Sequence, residues 1–112
     1  SLVAARRDLF SGLFLERFIM AQKLRTRSID ADGIFTDGCD PSGYFNISVA
    51  GTWVGKITCQ RSFDQGSTWL DVASWTANTE EYGFEPERDV YYRAGFKVGD
   101  YISGTAVVRL SQ

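Results

Sequence analysis

Residues Trp53 to Ser74 read WVGKITCQRSFDQGSTWLDVAS, two stretches with strand texture around a polar octet. Trp53, Ile57 and Cys59 alternate with Val54, Lys56, Thr58 and Gln60, the two-residue period of a half-buried strand. The octet Ser62-Phe63-Asp64-Gln65-Gly66-Ser67-Thr68-Trp69 has the form S-x-D-x-G-x-T-W. Each defined position has a physical task. Asp64 accepts hydrogen bonds from backbone N–H groups within its own turn. Gly66 takes positive φ at the reversal without steric cost. The Ser62 and Thr68 hydroxyls close the turn from both strands, and Trp69 is expected to pack across the hairpin base. The octet therefore predicts a β-hairpin spanning about Trp53 to Ser74 and reversing at Gln65–Gly66.

Strand texture continues on both sides. Phe45, Ile47 and Val49 alternate with Asn46, Ser48 and Ala50, and Gly51–Thr52 predicts a tight turn before Trp53. Trp69–Trp75 and Thr79–Phe84 follow the octet. Val90, Tyr92, Ala94 and Phe96 form one face of the next strand, and Ala106, Val108 and Leu110 one face of the last, with turns predicted at Gly99–Asp100 and Ser103–Gly104. Aromatic residues reach 14%, which suits strands. Short strands at regular spacing predict a mainly β fold, a small antiparallel β-sandwich or jelly-roll-like domain over residues 29–112. Its entry, 29–44, is punctuated by Gly33, Gly38, Pro41 and Gly43. The Asp residues there lack the D-x-D-x-D-G order and closing Glu of a calcium loop, so no metal and no cofactor is expected.

Residues 1–28 differ. They contain no Pro and one Gly, and six basic residues against two acidic ones make them +4. The other 84 residues hold six basic and twelve acidic residues, a charge of −6. Leu9, Phe10, Leu13 and Phe14 recur at helical spacing, with Arg17 and Phe18 beyond them. The segment reads either as an amphipathic helix on its own domain or as a basic, helical or extended arm that docks on a neighbouring subunit. The residues that would carry docking are Leu9, Phe10, Leu13, Phe14, Arg17 and Phe18.

Composition narrows the chemistry. There is no histidine among 112 residues, so a Ser-His-Asp triad, a Cys-His dyad and a His-ligated metal are ruled out. An acidic body does not suit nucleic acid, and no run of apolar residues has the length of a membrane span. Cys39 and Cys59 match no metal spacing and are expected as free thiols, Cys59 as a small core residue. No signal-peptide pattern is read, so the chain is expected to be made in the cytoplasm, and no enzymatic activity is expected.

The octet matches the Asp-box, which resembles that of sialidases and other propellers. Those enzymes carry several copies, on the outside of the fold, so the resemblance implies a hairpin and not an activity. A wider resemblance covers Gly51 to Ser111. Its G-T-W-x-G opening, Asp-box, W-T-A-N-T-E-E-Y stretch, Y-Y-R strand and closing S-G-T-A-x-V-R-L strand look like a domain of tailed-phage virion proteins. A lone β domain with an arm is similar to capsid-decorating (cement or staple) proteins. The resemblance implies a structural bacteriophage protein on the capsid surface of the virion. Its partner would be the major capsid protein of the same phage, with a homodimer plausible on a local two-fold axis, and neither nucleic acid nor membrane.

Three alternatives stay open. The same domain type occurs in tail and head–tail joining proteins. A carbohydrate-binding module would use Trp75, Tyr82, Tyr91 and Tyr101 with Glu80 and Glu81. A two-carboxylate hydrolase would draw on Glu80, Glu81, Glu85 and Glu87, a cluster read here as a solvated edge and loop.

Overall fold

The computed structural model describes residues 23–112. Five strands form one antiparallel sheet: β1 (Leu24–Ile29), β2 (Gly43–Ser62), β3 (Leu70–Trp75), β4 (Thr79–Glu85) and β5 (Tyr91–Ser111). The fold is mainly β, as expected. β2 and β5 run 20 and 21 residues, far beyond ordinary strands. They pair from Asn46 opposite Ser111 to Ser62 opposite Tyr91. β4 and then β3 line the other side of β2, and β1 pairs with the end of β5. Phe35 and Cys39 bridge to the beginning of β5, opposite Gly95 and Tyr92.

The turns predicted at Gly51–Thr52, Gly99–Asp100 and Ser103–Gly104 are instead bends inside β2 and β5. Gly51, Gly99 and Gly104 have φ of 96°, 93° and 85°. A Cβ on Gly51 would lie 2.4 Å from the Thr105 carbonyl oxygen, and one on Gly104 2.2 Å from that of Thr52. The two ribbons approach so closely that only glycine fits. Register shifts flank Gly55, the mark of a bulge, which adds twist and bend. Pairing places residues 30–34, 51–56, 76–78 and 97–105 at one level. The sheet creases there and folds over, so its two limbs face each other. The first limb is β1, the end of β5, the start of β2, and β4. The second is the bridging segment 35–39, the start of β5, the end of β2, and β3. The expected sandwich is thus one sheet folded on itself.

The faces predicted from alternation meet between the limbs. Phe45, Ile47, Val49, Ala106, Val108 and Leu110 of the first limb pack against Ile57, Cys59, Tyr92, Ala94 and Phe96 of the second, all buried. The Phe45 and Tyr92 rings lie 4.6 Å apart, and Phe96 meets Trp53 and Tyr101 edge-on at 5.8 and 5.0 Å. Burying a side chain such as Phe96 contributes roughly 2–3 kcal/mol.

The boundary expected after residue 28 moves. Leu24 to Ile29 pair with Ser111 to Ala106, so five residues assigned to the arm belong to the β domain. Lys23 and Gln112 exchange backbone hydrogen bonds of 3.1 and 2.7 Å. The six residues of β1 contain one buried apolar side chain, Ile29. Backbone pairing to β5, invisible to a hydrophobic pattern, makes this strand.

Polar clasps hold the crease and the open end of the folded sheet. At the crease the Asp32 carboxylate accepts the Gly99 N–H at 2.8 Å and the Tyr101 N–H at 3.1 Å, and these bonds hold its pKa below the ordinary value. At the open end Glu85 is 1% exposed. It accepts the Tyr92 hydroxyl at 2.7 Å and the Glu87 N–H at 3.0 Å, and it pairs with Arg61. Burial pushes the Glu85 carboxyl up, but these three donors outweigh it and hold the group below its usual range. The reading of Glu85 as part of a solvated edge is therefore corrected. Only the folded sheet brings the Arg61 guanidinium and the Tyr92 hydroxyl to one carboxylate.

Candidate functional site

The Asp-box turn forms as its spacing predicts. Pairing of β2 with β3 runs from Ile57 opposite Trp75 to Arg61 opposite Leu70, and Trp53 pairs instead with Gly104 of β5. The reversal falls at Gln65 and Gly66, with φ of 60° and 95°. Asp64 Oδ1 accepts from the Ser62 hydroxyl at 2.7 Å and from the Thr68 N–H at 2.8 Å, and Oδ2 accepts the Thr68 hydroxyl at 2.6 Å. Ser62 Oγ in turn accepts the Gly66 N–H at 2.8 Å. Hydrogen bonds from Thr68 and Ser62 lower the Asp64 pKa to about 2. The carboxylate is engaged within its own turn.

Trp69 meets both its own turn and residues outside the hairpin. Its ring lies against Gly66 and Gly38. The Arg93 guanidinium is stacked between it, at 4.3 Å from the ring centre, and Phe35, at 4.0 Å. Arg93 Nε donates to Gln60 Oε1 at 2.9 Å, Gln60 Nε2 donates to Asp71 at 2.8 Å, and Lys97 reaches Asp71 at 2.6 Å. Burial pushes the Arg93 pKa down. The stack draws on three separate segments, so sequence spacing gives no sign of it.

Among the described residues, the most exposed aromatic surface lies on the outer face of the first limb. Tyr44, Tyr82 and Phe84 are 69%, 74% and 55% exposed. Tyr44 is opposite Phe84 in the register, with ring centres 4.9 Å apart, and Tyr82 lies 6.2 Å from Tyr44. The alternation that puts Phe45 and Ile47 inside necessarily puts Tyr44 outside, which is the sequence signal for this patch. Beside it a groove of about 310 Å³ is lined by Asn46, Ser48, Glu80, Tyr82 and Arg109, among others. Gln112 ties the patch to the chain's entry. Its side-chain amide donates to the Tyr44 carbonyl at 2.9 Å, while its backbone pairs with Lys23.

The other rings considered for sugar binding are less available. Trp75 Nε1 donates to Glu81 at 2.8 Å, the Tyr101 hydroxyl donates to the Gly104 carbonyl at 2.9 Å, and Tyr91 is half-buried. Tyr44 and Tyr82 are tilted by 57°, so they make no flat platform.

Cys39 and Cys59 are buried free thiols. Burial pushes Cys59 up to about 12 and raises Cys39 as well, which makes both poor nucleophiles. Among the described residues no group of three or more His, Cys, Asp or Glu is placed to hold a metal. Leu9, Phe10, Leu13, Phe14, Arg17 and Phe18 lie outside the described residues. No protein-family model, no curated protein and no solved structure matches this chain.

Proposed function

We propose that this chain is a structural protein of a tailed-phage virion, a decoration (cement) protein. It would bind the outside of the capsid and stabilise capsomer junctions through its contact with the major capsid protein. The observation that carries the reading is the exposed Tyr44–Tyr82–Phe84 patch, linked through Gln112 to Lys23, where residues 1–22 join the domain. Exposed aromatics clustered on a rigid sheet face are what protein–protein contacts use as anchors. Binding spread over capsomer boundaries stabilises a particle by mass action. The polar chemistry of the Asp-box, the Glu85 clasp and the Arg93 stack is engaged in holding the fold together.

The test is quantitative mass spectrometry of purified parent particles against the major capsid protein. A stoichiometry comparable to the capsid protein supports decoration, and loss of attachment in Tyr44→Ala/Phe84→Ala with unchanged melting assigns it to the patch. A few copies per particle would favour the tail or head–tail joint. Complete absence would overturn the virion reading. One observation favours carbohydrate binding as a second reading: the Tyr82 ring borders a groove with Asn46, Glu80 and Arg109. Glycan-array binding abolished by Tyr82→Ala would establish it.

A further inference from the structure

The first limb runs β1, β5, β2, β4, so β1 and β4 are its outer strands. Among the described residues each has a strand partner on one side only. Their charges are opposite. Residues 23–29 contain Lys23, Arg25 and Arg27 and no acidic residue, while 79–85 contain Glu80, Glu81 and Glu85 and no basic one. Lys23 is paired with Asp40 and Glu85 with Arg61. Arg25, Arg27, Glu80 and Glu81 have no ion-pair partner among the described residues.

Charges on an exposed edge ordinarily refuse another strand. Here two β1 edges repel, two β4 edges repel, and β1 against β4 attracts. We propose that copies of this chain join head to tail, β1 of one copy adding antiparallel to β4 of the next. The inner faces must stay inside, which restricts the register. Arg25, Arg27 and Ile29 share the face of Leu110, Val108 and Ala106, and Thr79, Glu81 and Gly83 share that of Val49, Ile47 and Phe45. Odd positions therefore meet odd positions. Setting Arg25 opposite Glu81 places Thr26 opposite Glu80 and Leu24, itself exposed, opposite exposed Tyr82. Such a contact is heterologous and builds a ring or a filament, unlike the two-fold dimer considered from sequence. It does not depend on the capsid reading.

The test is sedimentation of the full chain over a range of protein and salt concentrations. The wild type is expected to self-associate at low salt and to dissociate as salt rises. Arg25→Glu/Arg27→Glu and Glu80→Lys/Glu81→Lys are each expected to be monomeric, and an equimolar mixture of the two to associate again. A Thr26→Cys/Glu80→Cys chain should form a ladder of disulfide-linked oligomers under mild oxidation. Thr26→Cys/Glu81→Cys, with the second thiol on the opposite face, should not. Within one copy β1 and β4 lie three strand spacings apart, roughly 14 Å, too far for an internal disulfide. A wild type that stays monomeric throughout, association lost by reversing one edge but not the other, or equal ladders from the two cysteine pairs would overturn the proposal.

Discussion

Replacing Glu85 by Ala removes the clasp at the open end of the folded sheet. The carboxylate is 1% exposed and receives the Tyr92 hydroxyl, the Glu87 N–H and the Arg61 guanidinium. Hydrogen bonds to a charged group contribute about 1.5–3 kcal/mol each, and breaking a buried pair by removing one partner costs about 3–5 kcal/mol. The Arg61 side chain is 27% exposed, so water recovers part of the loss on that side. A net cost of about 3 kcal/mol follows, a fall in Tm of about 13 °C for a domain of this size. Urea and thermal unfolding followed by circular dichroism and Trp fluorescence measure it. Acid sharpens the test. The folded state holds the Glu85 pKa below its ordinary 4.5, so the unfolded chain takes up the proton first. The stabilisation is complete above about that pH and is lost as pH falls through the lower, folded value. Glu85→Gln should therefore flatten part of the acid limb of the stability curve. A Glu85→Ala chain within about 1 kcal/mol of wild type, at neutral pH, would refute the clasp, because three donors cannot lose a buried acceptor so cheaply.

Three further outcomes follow from the same geometry. Gly104→Ala should cost about 2–4 kcal/mol, because positive φ is compounded by a Cβ 2.2 Å from the Thr52 carbonyl oxygen. Gly99→Ala, with positive φ but nothing within 4 Å, should cost about 1–2 kcal/mol, and equal losses in the two melts would contradict the crease. Cys39 and Cys59 should resist a chromogenic thiol reagent in the folded chain and react together in denaturant, since both are buried and Cys59 is pushed up to about 12; rapid native labelling of either would count against that burial. Asp64→Ala should lower the melting temperature and remove a titration near pH 2 seen by NMR of the side-chain carboxyls, because Ser62 and Thr68 lose their shared acceptor.

Much of the fold was legible because alternation reports which face a strand buries. The inward rows Phe45–Ile47–Val49, Tyr92–Ala94–Phe96 and Ala106–Val108–Leu110 are buried as alternation predicts. The Asp-box was legible because all its partners lie within eight consecutive residues, so local hydrogen bonding dictates the turn. The bends were misread because Gly51, Gly99 and Gly104 carry the same signature in a turn as in a crease. β1 was missed because a strand held by its backbone need show no apolar period. The Arg93 stack and the Glu85 clasp were missed because each needs a contact between residues 24 or more positions apart, Arg93 with Trp69 and Phe35, and Glu85 with Arg61.

By itself, then, the sequence determined a β-rich chain, the rows of side chains that turn inward and the hairpin at Gln65–Gly66. These depend on neighbours along the chain, and a two-residue period or an eight-residue motif encodes them directly. Tertiary structure alone decided that the glycines crease two long strands instead of ending them. It also decided that Glu85 closes the limbs, that Tyr44, Tyr82 and Phe84 share one exposed face, and that β1 and β4 end up as outer strands of opposite charge. Each of these requires residues distant in sequence to meet. Where they meet is set by the pairing of β2 with β5 along their whole length, which no local pattern records.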